Sequence, residues 1–335
     1  MSSDAFVALY NLYHYGAYQA VVDQISPQPD AFLDPNTLSL QWLLYRAYLA
    51  QGKYTDVLDS LSASAGTTSL PAELEALRLL ALVQEYQHQH QLPSRAEVLL
   101  SGKGLPTEAV GTQQLPVELL DPTERDLVEQ LKSFMDDATH QGISQAVVPV
   151  ASAFYCLGQL EDALQILAAF PKDLECLSLT IQILLTLQRT DLARKEVAKV
   201  KSWAEDDPLA LLMEAWVNLR VGGPKYREAL YTFEELAQAA PTPTVKLLVG
   251  QAACHLHLGH LPEAESLLLE ALSIDDSDPD ALANMVVCSE LLQKPTTESG
   301  RYLDQLRQAT PSHPLVCSVD EKSQLFDECL ATLGS

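Results

Sequence analysis

The sequence predicts an all-α protein, a right-handed α-solenoid of stacked helical hairpins with a C-terminal capping helix. Three observations carry that prediction. Apolar residues recur at helical spacing along most of the 335 residues. Small residues recur in the second helix of each pair with a period near the length of one hairpin. Glycines mark tight turns at the same period.

The period is a matter of arithmetic. Ala163, Ala193, Ala229 and Ala264 are separated by 30, 36 and 35 residues. Gly16 and Gly52 lie 36 apart, each followed two residues later by Tyr18 or Tyr54. Gly158 and Gly259, followed by Leu160 and Leu261, lie 101 apart, close to three units. A hairpin repeating at about 34 residues, with small residues where helices cross, is the mark of a tetratricopeptide repeat.

In chain order, Phe6, Leu9, Leu12 and Tyr13 give the first helix its apolar face, and 18–25 follows Gly16 as its partner. Pro27 and Pro29 close that hairpin. The second pair is 38–51 and 54–61, ended by a small, polar turn at 62–68. A further helix spans 71–87, with Leu74, Leu77, Leu80 and Ala81 on one face. The pattern then breaks. Gly102, Gly104, Pro106, Gly111 and Pro116 are too closely spaced for a long helix, so 88–121 reads as an inserted, mobile loop. A short helix at 94–100 and a degenerate extra repeat are the alternatives there.

Asp121-Pro122 restarts order as N-cap and first helical residue. Leu127, Leu131, Phe134 and Met135 form the buried stripe of the helix that follows. The pairs 144–157 with 160–170, 174–187 with 191–203, and 209–220 with 226–239 then restore the period. The clearest hairpin is 245–258 with 262–274. Ala252 sits at its close approach, and Ala264, Leu268 and Ala271 share one face. Asp278 and Pro279 open the last pair, 280–292 and 296–309. The helix 314–333 should cap the stack through Leu325, Phe326, Leu330 and Leu333, because a terminal apolar face needs a cover. The domain reading is one continuous stack over 1–335, with repeat hairpins at about 4–87 and 122–309.

The charge is one-sided, with 45 acidic against 21 basic residues and a net charge of −24. That opposes nucleic-acid binding, which needs Lys and Arg against phosphate. It also opposes direct docking on anionic lipid, so any membrane association is expected to be indirect. No apolar run reaches 18 residues, and the N-terminus shows no secretory pattern. The expectation is a cytoplasmic protein. Cys156, Cys176, Cys254, Cys288, Cys317 and Cys329 form no CxxC pair and read as small core residues.

Catalytic, cofactor and metal sites are not expected. His255 and His257 are two apart on a helix and point away from each other, while His260 lies beyond the turn. Asp276, Asp278 and Asp280 begin like a calcium loop, but Ala281 stands at the turn glycine and Val287 at the bidentate Glu. Ser101-Gly-Lys103-Gly lacks the Ser/Thr of a phosphate loop, and neither G-x-S-x-G nor HExxH occurs. No small-molecule substrate is implied.

A binding groove is the stronger candidate. The first helix of each hairpin lines the inner surface of such a stack. From the N-terminal pairs this places Phe6, Tyr10, Tyr13, Trp42, Arg46 and Leu49 there. The central pairs add Val148, Ser152, Tyr155, Ser178 and Gln182, and the later ones Glu214, Asn218, Val249 and Ala253. Some of these serve as core filling instead, and spacing does not separate the two uses. The set is largely apolar and aromatic, with Arg46 its main cation. It suits an extended apolar segment or hairpin of another protein, not an acidic tail.

Particular blocks resemble a known family. Leu43 to Gln51 (LLYRAYLAQ) is similar to the second repeat of the epsilon subunits of coatomer. Leu174-Glu175-Cys176, Thr180 to Leu184, Asp191 to Glu196, Gly250 to His255, Arg301 to Leu306 and Ser312-His-Pro314 continue the match in the same order. The likeness covers about residues 6–330. It implies a non-enzymatic subunit of the COPI vesicle coat, peripheral on Golgi membranes and COPI-coated vesicles, acting in Golgi-to-endoplasmic-reticulum and intra-Golgi transport. It also implies binding to the C-terminal domain of the alpha coatomer subunit, whose protruding β-hairpin the repeats enclose, and through it to the rest of the coat. The family pattern has a much shorter connection where this chain has 88–121. An adaptor that recruits chaperones or other cytosolic partners is the alternative, and it requires a basic groove. An enzyme built in the 88–121 insertion is a second rival.

Overall fold

Helix pairs in this chain turn on single residues with left-handed backbone. Gly259 has φ 79°, and the next amide, of His260, reaches back to the His255 carbonyl at 2.9 Å. Three glutamines, Gln91, Gln188 and Gln293, take the same backbone without the freedom of glycine. Gln188 and Gln293 have φ of 60° and 56°, and the amides after them reach Leu184 at 2.8 Å and Ser289 at 3.0 Å. Each such residue costs roughly 1–2 kcal/mol of backbone strain.

The structure is a computed structural model that describes residues 3–25, 35–65, 70–92, 114–116, 120–141 and 143–333. Every regular element among the described residues is an α-helix, and successive helices form the hairpins of an α-solenoid. The chain divides into two compact units, 1–221 and 222–335, taken here in turn.

The first unit holds α1 (Ser3–Tyr15), α2 (Tyr18–Ile25), α3 (Pro35–Ala50), α4 (Tyr54–Ala65), α5 (Ala72–Gln89), α6 (Pro122–Gln141), α7 (Ser144–Cys156), α8 (Leu160–Leu167), α9 (Leu174–Thr186), α10 (Thr190–Lys201) and α11 (Pro208–Val221). Each packs on the next through α5, α5 packs closely on α7, and α7 to α11 continue the stack. The early helices also meet the late ones, since α1 touches α11. One apolar cluster runs from Leu9 and Leu12 through Leu43, Leu77 and Phe154 to Ile183.

Two polar contacts inside this unit fix α3. Pro149 lies within α7 and has no N–H to give the carbonyl four residues earlier, that of Gln145. The indole N–H of Trp42 donates to that carbonyl at 3.0 Å. One turn on, the Arg46 guanidinium lies over the Trp42 ring at 4.3 Å and the Tyr13 ring at 4.6 Å. It donates to Glu175 of α9 at 2.6 Å, and His14 Nε2 lies 3.7 Å from the same carboxylate. Side-chain exposure is 11% for Arg46 and 7% for Glu175. Burial alone pushes the guanidinium pKa down, but Glu175, then Tyr13 and Tyr10, drive it upward overall.

Of the 88–121 segment, the described residues 114–116, 120 and 121 make defined contacts with the first unit. The Leu115 amide donates to the Gly158 carbonyl at 3.0 Å, and Gln159 Nε2 donates to the Leu115 carbonyl at 2.8 Å. Gln114 adds bonds to Gln159 at 2.5 Å and Asp162 at 3.2 Å. Leu115 and Leu120 are both buried in the apolar cluster. Glu124 reaches back to the Asp121 amide at 3.1 Å, half of a capping box at the start of α6. The short helix expected at 94–100 lies outside the described residues.

The second unit holds α12 (Lys225–Ala239), α13 (Val245–Leu258), α14 (Leu261–Ile274), α15 (Pro279–Leu291), α16 (Thr296–Ala309) and α17 (Pro314–Leu333). Ala252, Ala264, Leu268 and Ala271 are fully buried, in the register their spacing predicts. At the α12–α13 crossing a Cβ on Gly250 would stand 2.7 Å from the Phe233 ring, so only glycine fits without movement. Asp278 accepts from the Ala281 amide at 2.8 Å, and Asp275 from the Ser277 amide at 3.0 Å. Those two bonds account for part of the Asp275–Asp280 run as capping and turn chemistry.

The expected C-terminal cap holds only at its start. Val316 packs with Leu282 and Leu306, and Leu315 is half-buried beside them. From Glu321 to Thr332 every residue of α17 is exposed, including Leu325, Phe326 and Leu330.

Three stability measurements test this packing. Trp42→Phe should cost about 1–3 kcal/mol by orphaning the Gln145 carbonyl. In a Pro149→Ala background, where residue 149 regains its N–H, the loss should shrink; additive costs in a double-mutant cycle would contradict the Pro149–Trp42 link. Glu175→Gln should cost about 3–5 kcal/mol, and replacing both Arg46 and Glu175 by Met should cost less than that single change. Leu115→Ala should lower stability by about 2–4 kcal/mol. A change below about 0.5 kcal/mol there would mark a free surface loop instead.

Candidate functional site

The structure sorts the predicted groove residues into three kinds. Trp42, Leu49, Val148 and Asn218 are buried. Trp42, Leu49 and Val148 belong to the apolar cluster of their own unit. Arg46 belongs with them through its bond to Glu175.

A second set is half-buried and already hydrogen-bonded within the chain. Ser152 donates to the Val148 carbonyl at 2.8 Å, and Ser178 to the Glu175 carbonyl at 2.8 Å. Tyr155 and Thr186 share a hydrogen bond at 3.3 Å. Glu214 accepts from Lys201 at 2.6 Å. Phe6 stacks on Tyr10 with ring centroids 6.0 Å apart, and Tyr13 lies under Arg46. Burial, then the Glu175 carboxylate, raises the Tyr10 hydroxyl pKa well above the usual phenol value. Gln182 is exposed on the surface of the first unit.

A third set lies in the second unit. Val249 and Ala253 are half-buried on α13. On α15, which packs beside α13, Val287 and Leu291 are exposed by 40% and 52%. Val287 and Leu291 are four residues apart, one turn along the same stripe. Spacing alone placed neither in the groove, and the signal that finds them is an apolar residue on the exposed stripe of a first helix. Val249 packs against the clusters around Ala252 and Leu248, so the large apolar side chains that stay exposed here are Val287 and Leu291.

The candidate metal residues find partners of other kinds. The His255 and His260 rings meet, with Nδ1 atoms 3.3 Å apart, although sequence spacing had separated them. Burial, then His260, lowers the His255 pKa. His257 stacks flat on Tyr226 at 4.4 Å. Among the described residues no group of three or more His, Cys, Asp or Glu side chains could hold a metal ion. Cys176, Cys254 and Cys288 are buried as expected, and burial pushes the Cys254 thiol up to about 12. Cys317 and Cys329 are exposed instead, because α17 leaves the packed body.

Comparison with known proteins bears on this arrangement. A solved helical assembly, the Cut9–Hcn1 hetero-tetramer, superposes on 96% of this chain and 55% of its own with a TM-score of 0.57. At 13% identity that likeness is one of fold alone. The coatomer subunit epsilon-1 of Oryza sativa subsp. japonica is 32% identical over 336 residues, covering 99% of each chain. The coatomer subunit epsilon of Dictyostelium discoideum is 29% identical and covers 98% of each. The sequence pattern of the family described as Coatomer epsilon subunit matches residues 2–110 and 103–333, two stretches that meet inside the 88–121 segment. With matches that run through nearly every helix of both units, the chain belongs to the coatomer epsilon subunit family.

Proposed function

We propose that this chain is a non-enzymatic structural subunit of the COPI vesicle coat. In this reading it binds and stabilises the C-terminal domain of the alpha coatomer subunit. It thereby supports Golgi-to-endoplasmic-reticulum and intra-Golgi vesicle transport, working from the cytoplasm on Golgi membranes and coated vesicles. The observation that carries the reading is family membership joined to the exposed apolar stripe of Val287 and Leu291 on α15. Such a stripe suits an extended apolar segment of a partner.

The charge of the chain supports an indirect attachment to membranes. With a net charge of −24 it is repelled by anionic lipid, and no described helix is long and apolar enough to cross a membrane. A partner subunit would then supply the membrane contact. The chaperone-adaptor alternative needs available cations on the inner surface. Arg46 is instead committed to Glu175, and Lys201 to Glu214.

Retention of the full chain on immobilised alpha C-terminal domain tests this reading, with micromolar or tighter binding expected. Val287→Asp with Leu291→Asp should weaken retention at least about tenfold while leaving the melting temperature near the parent's, since both side chains are exposed. No retention of the parent chain would overturn the partner. Retention unchanged by the two substitutions would overturn the surface.

A further inference from the structure

We propose that α10 carries a second docking surface, separate from the stripe on α15, and that its occupant is a short acidic segment of another protein that ends in an apolar residue. Five of the chain's 21 basic residues, Arg189, Arg194, Lys195, Lys199 and Lys201, fall within 189–201, against two carboxylates, Asp191 and Glu196. A chain of net charge −24 thus reverses its sign over this stretch. Asp191 to Glu196 is also one of the blocks in which the chain resembles its family.

The packing of α10 gathers the cations on one side. Ala193, Val197 and Val200 are buried, at the spacing of a single helix face. Arg194, Lys195, Ala198, Lys199 and Ser202 are exposed on the other side. The small Ala198 lies between the cations, so a partner's backbone can come close to the helix there. Trp203 stands in the turn that follows, where its amide donates to the Val200 carbonyl at 3.1 Å. It is 48% exposed and offers an apolar anchor at the end of the cationic row.

Pairing decides which charges are available. The three helices α9, α10 and α11 hold four carboxylates, and each is bonded to a cation: Glu175 to Arg46, Asp191 to Arg189, Glu196 to Lys199 and Glu214 to Lys201. Arg194 and Lys195 have no such partner among the described residues. Lys199 and Lys201 also offset the helix dipole in the last turn, a local role that Arg194 and Lys195 do not share. The exposed Glu205 and Asp206 bound the patch beyond Trp203.

Size and charge select the occupant. At 1.5 Å per residue the surface from Arg194 to Trp203 is about 14 Å long. Charges act over about 8 Å at physiological salt, so a short acidic segment laid on this row is attracted locally. An anionic membrane or a nucleic-acid duplex extends well past the row and meets the chain's overall negative charge. A second copy is disfavoured too, since it brings a net charge of −24 of its own.

The test uses the full chain and two labelled synthetic peptides, a run of glutamates ending in leucine and the same peptide with glutamine for glutamate. Fluorescence anisotropy at low salt should show saturable binding of the acidic peptide alone, weakened as salt rises. Arg194→Gln with Lys195→Gln should lower its affinity about fivefold or more. Arg227→Gln with Lys322→Gln, exposed cations of the second unit, should leave it unchanged. Both pairs change the net charge equally, so the contrast separates a local site from the field of the whole chain. Trp203→Ser should also weaken binding. All five side chains are exposed, and the melting temperatures should stay near the parent's. No binding by the parent, equal losses in the two double variants, or parent-like binding by Trp203→Ser would overturn the proposal. Binding of phosphatidylserine vesicles or of a DNA duplex, or self-association in sedimentation, that Arg194→Gln with Lys195→Gln abolishes would overturn it in favour of those occupants.

Discussion

A carbonyl without an amide governs the first unit. Pro149 denies Gln145 its helical hydrogen bond, and a buried carbonyl left in that state is costly. The Trp42 indole resolves it from another helix, so α3 must lie against α7 in one register. The same helix then delivers Arg46 to Glu175 on α9, a charge that is tolerable in the interior only because it is paired and sandwiched between rings. Three helices far apart in sequence are thus held by polar contacts that tolerate little displacement. Trp42 and Arg46 are thereby committed to contacts within their own unit.

The second unit meets its packing requirement by other means. Gly250, Ala252, Ala264 and Ala271 let helices approach closely, and the stability there comes from small residues at crossings. Among the described residues none covers Val287 and Leu291 on α15, which stay in contact with solvent. Exposed apolar side chains one turn apart on a packed helix are the feature on which the proposed partner contact rests. The acidity of the chain fits that role, since it keeps the body soluble without attracting phosphate or lipid headgroups.

The hairpins were legible in the sequence because their causes are local. Alanines at crossings, glycines at turns and leucines on one face each act within a few residues. The turns at Gln188 and Gln293 left no such mark, since glutamine rarely takes a left-handed backbone and only the surrounding packing holds it there. Leu115 was missed for a related reason, because its anchor at Gly158 and Gln159 is a tertiary contact. Trp42 and Val148 are buried within their own unit, and helical spacing alone cannot say whether an apolar face meets the same chain or another protein. In α17 the stripe promised a cap, yet the packed body ends after Val316 and the stripe runs on alone.

Amide hydrogen exchange on the full chain, alone and with the alpha C-terminal domain, addresses the central claim most directly. The account predicts that α3, α7 and α9 are already protected in the free chain and change little, while new protection appears along α13 and α15. Fast exchange of α3 in the free chain, slowed only by the partner, would mean that the first unit's interior is not self-filled and would contradict the account.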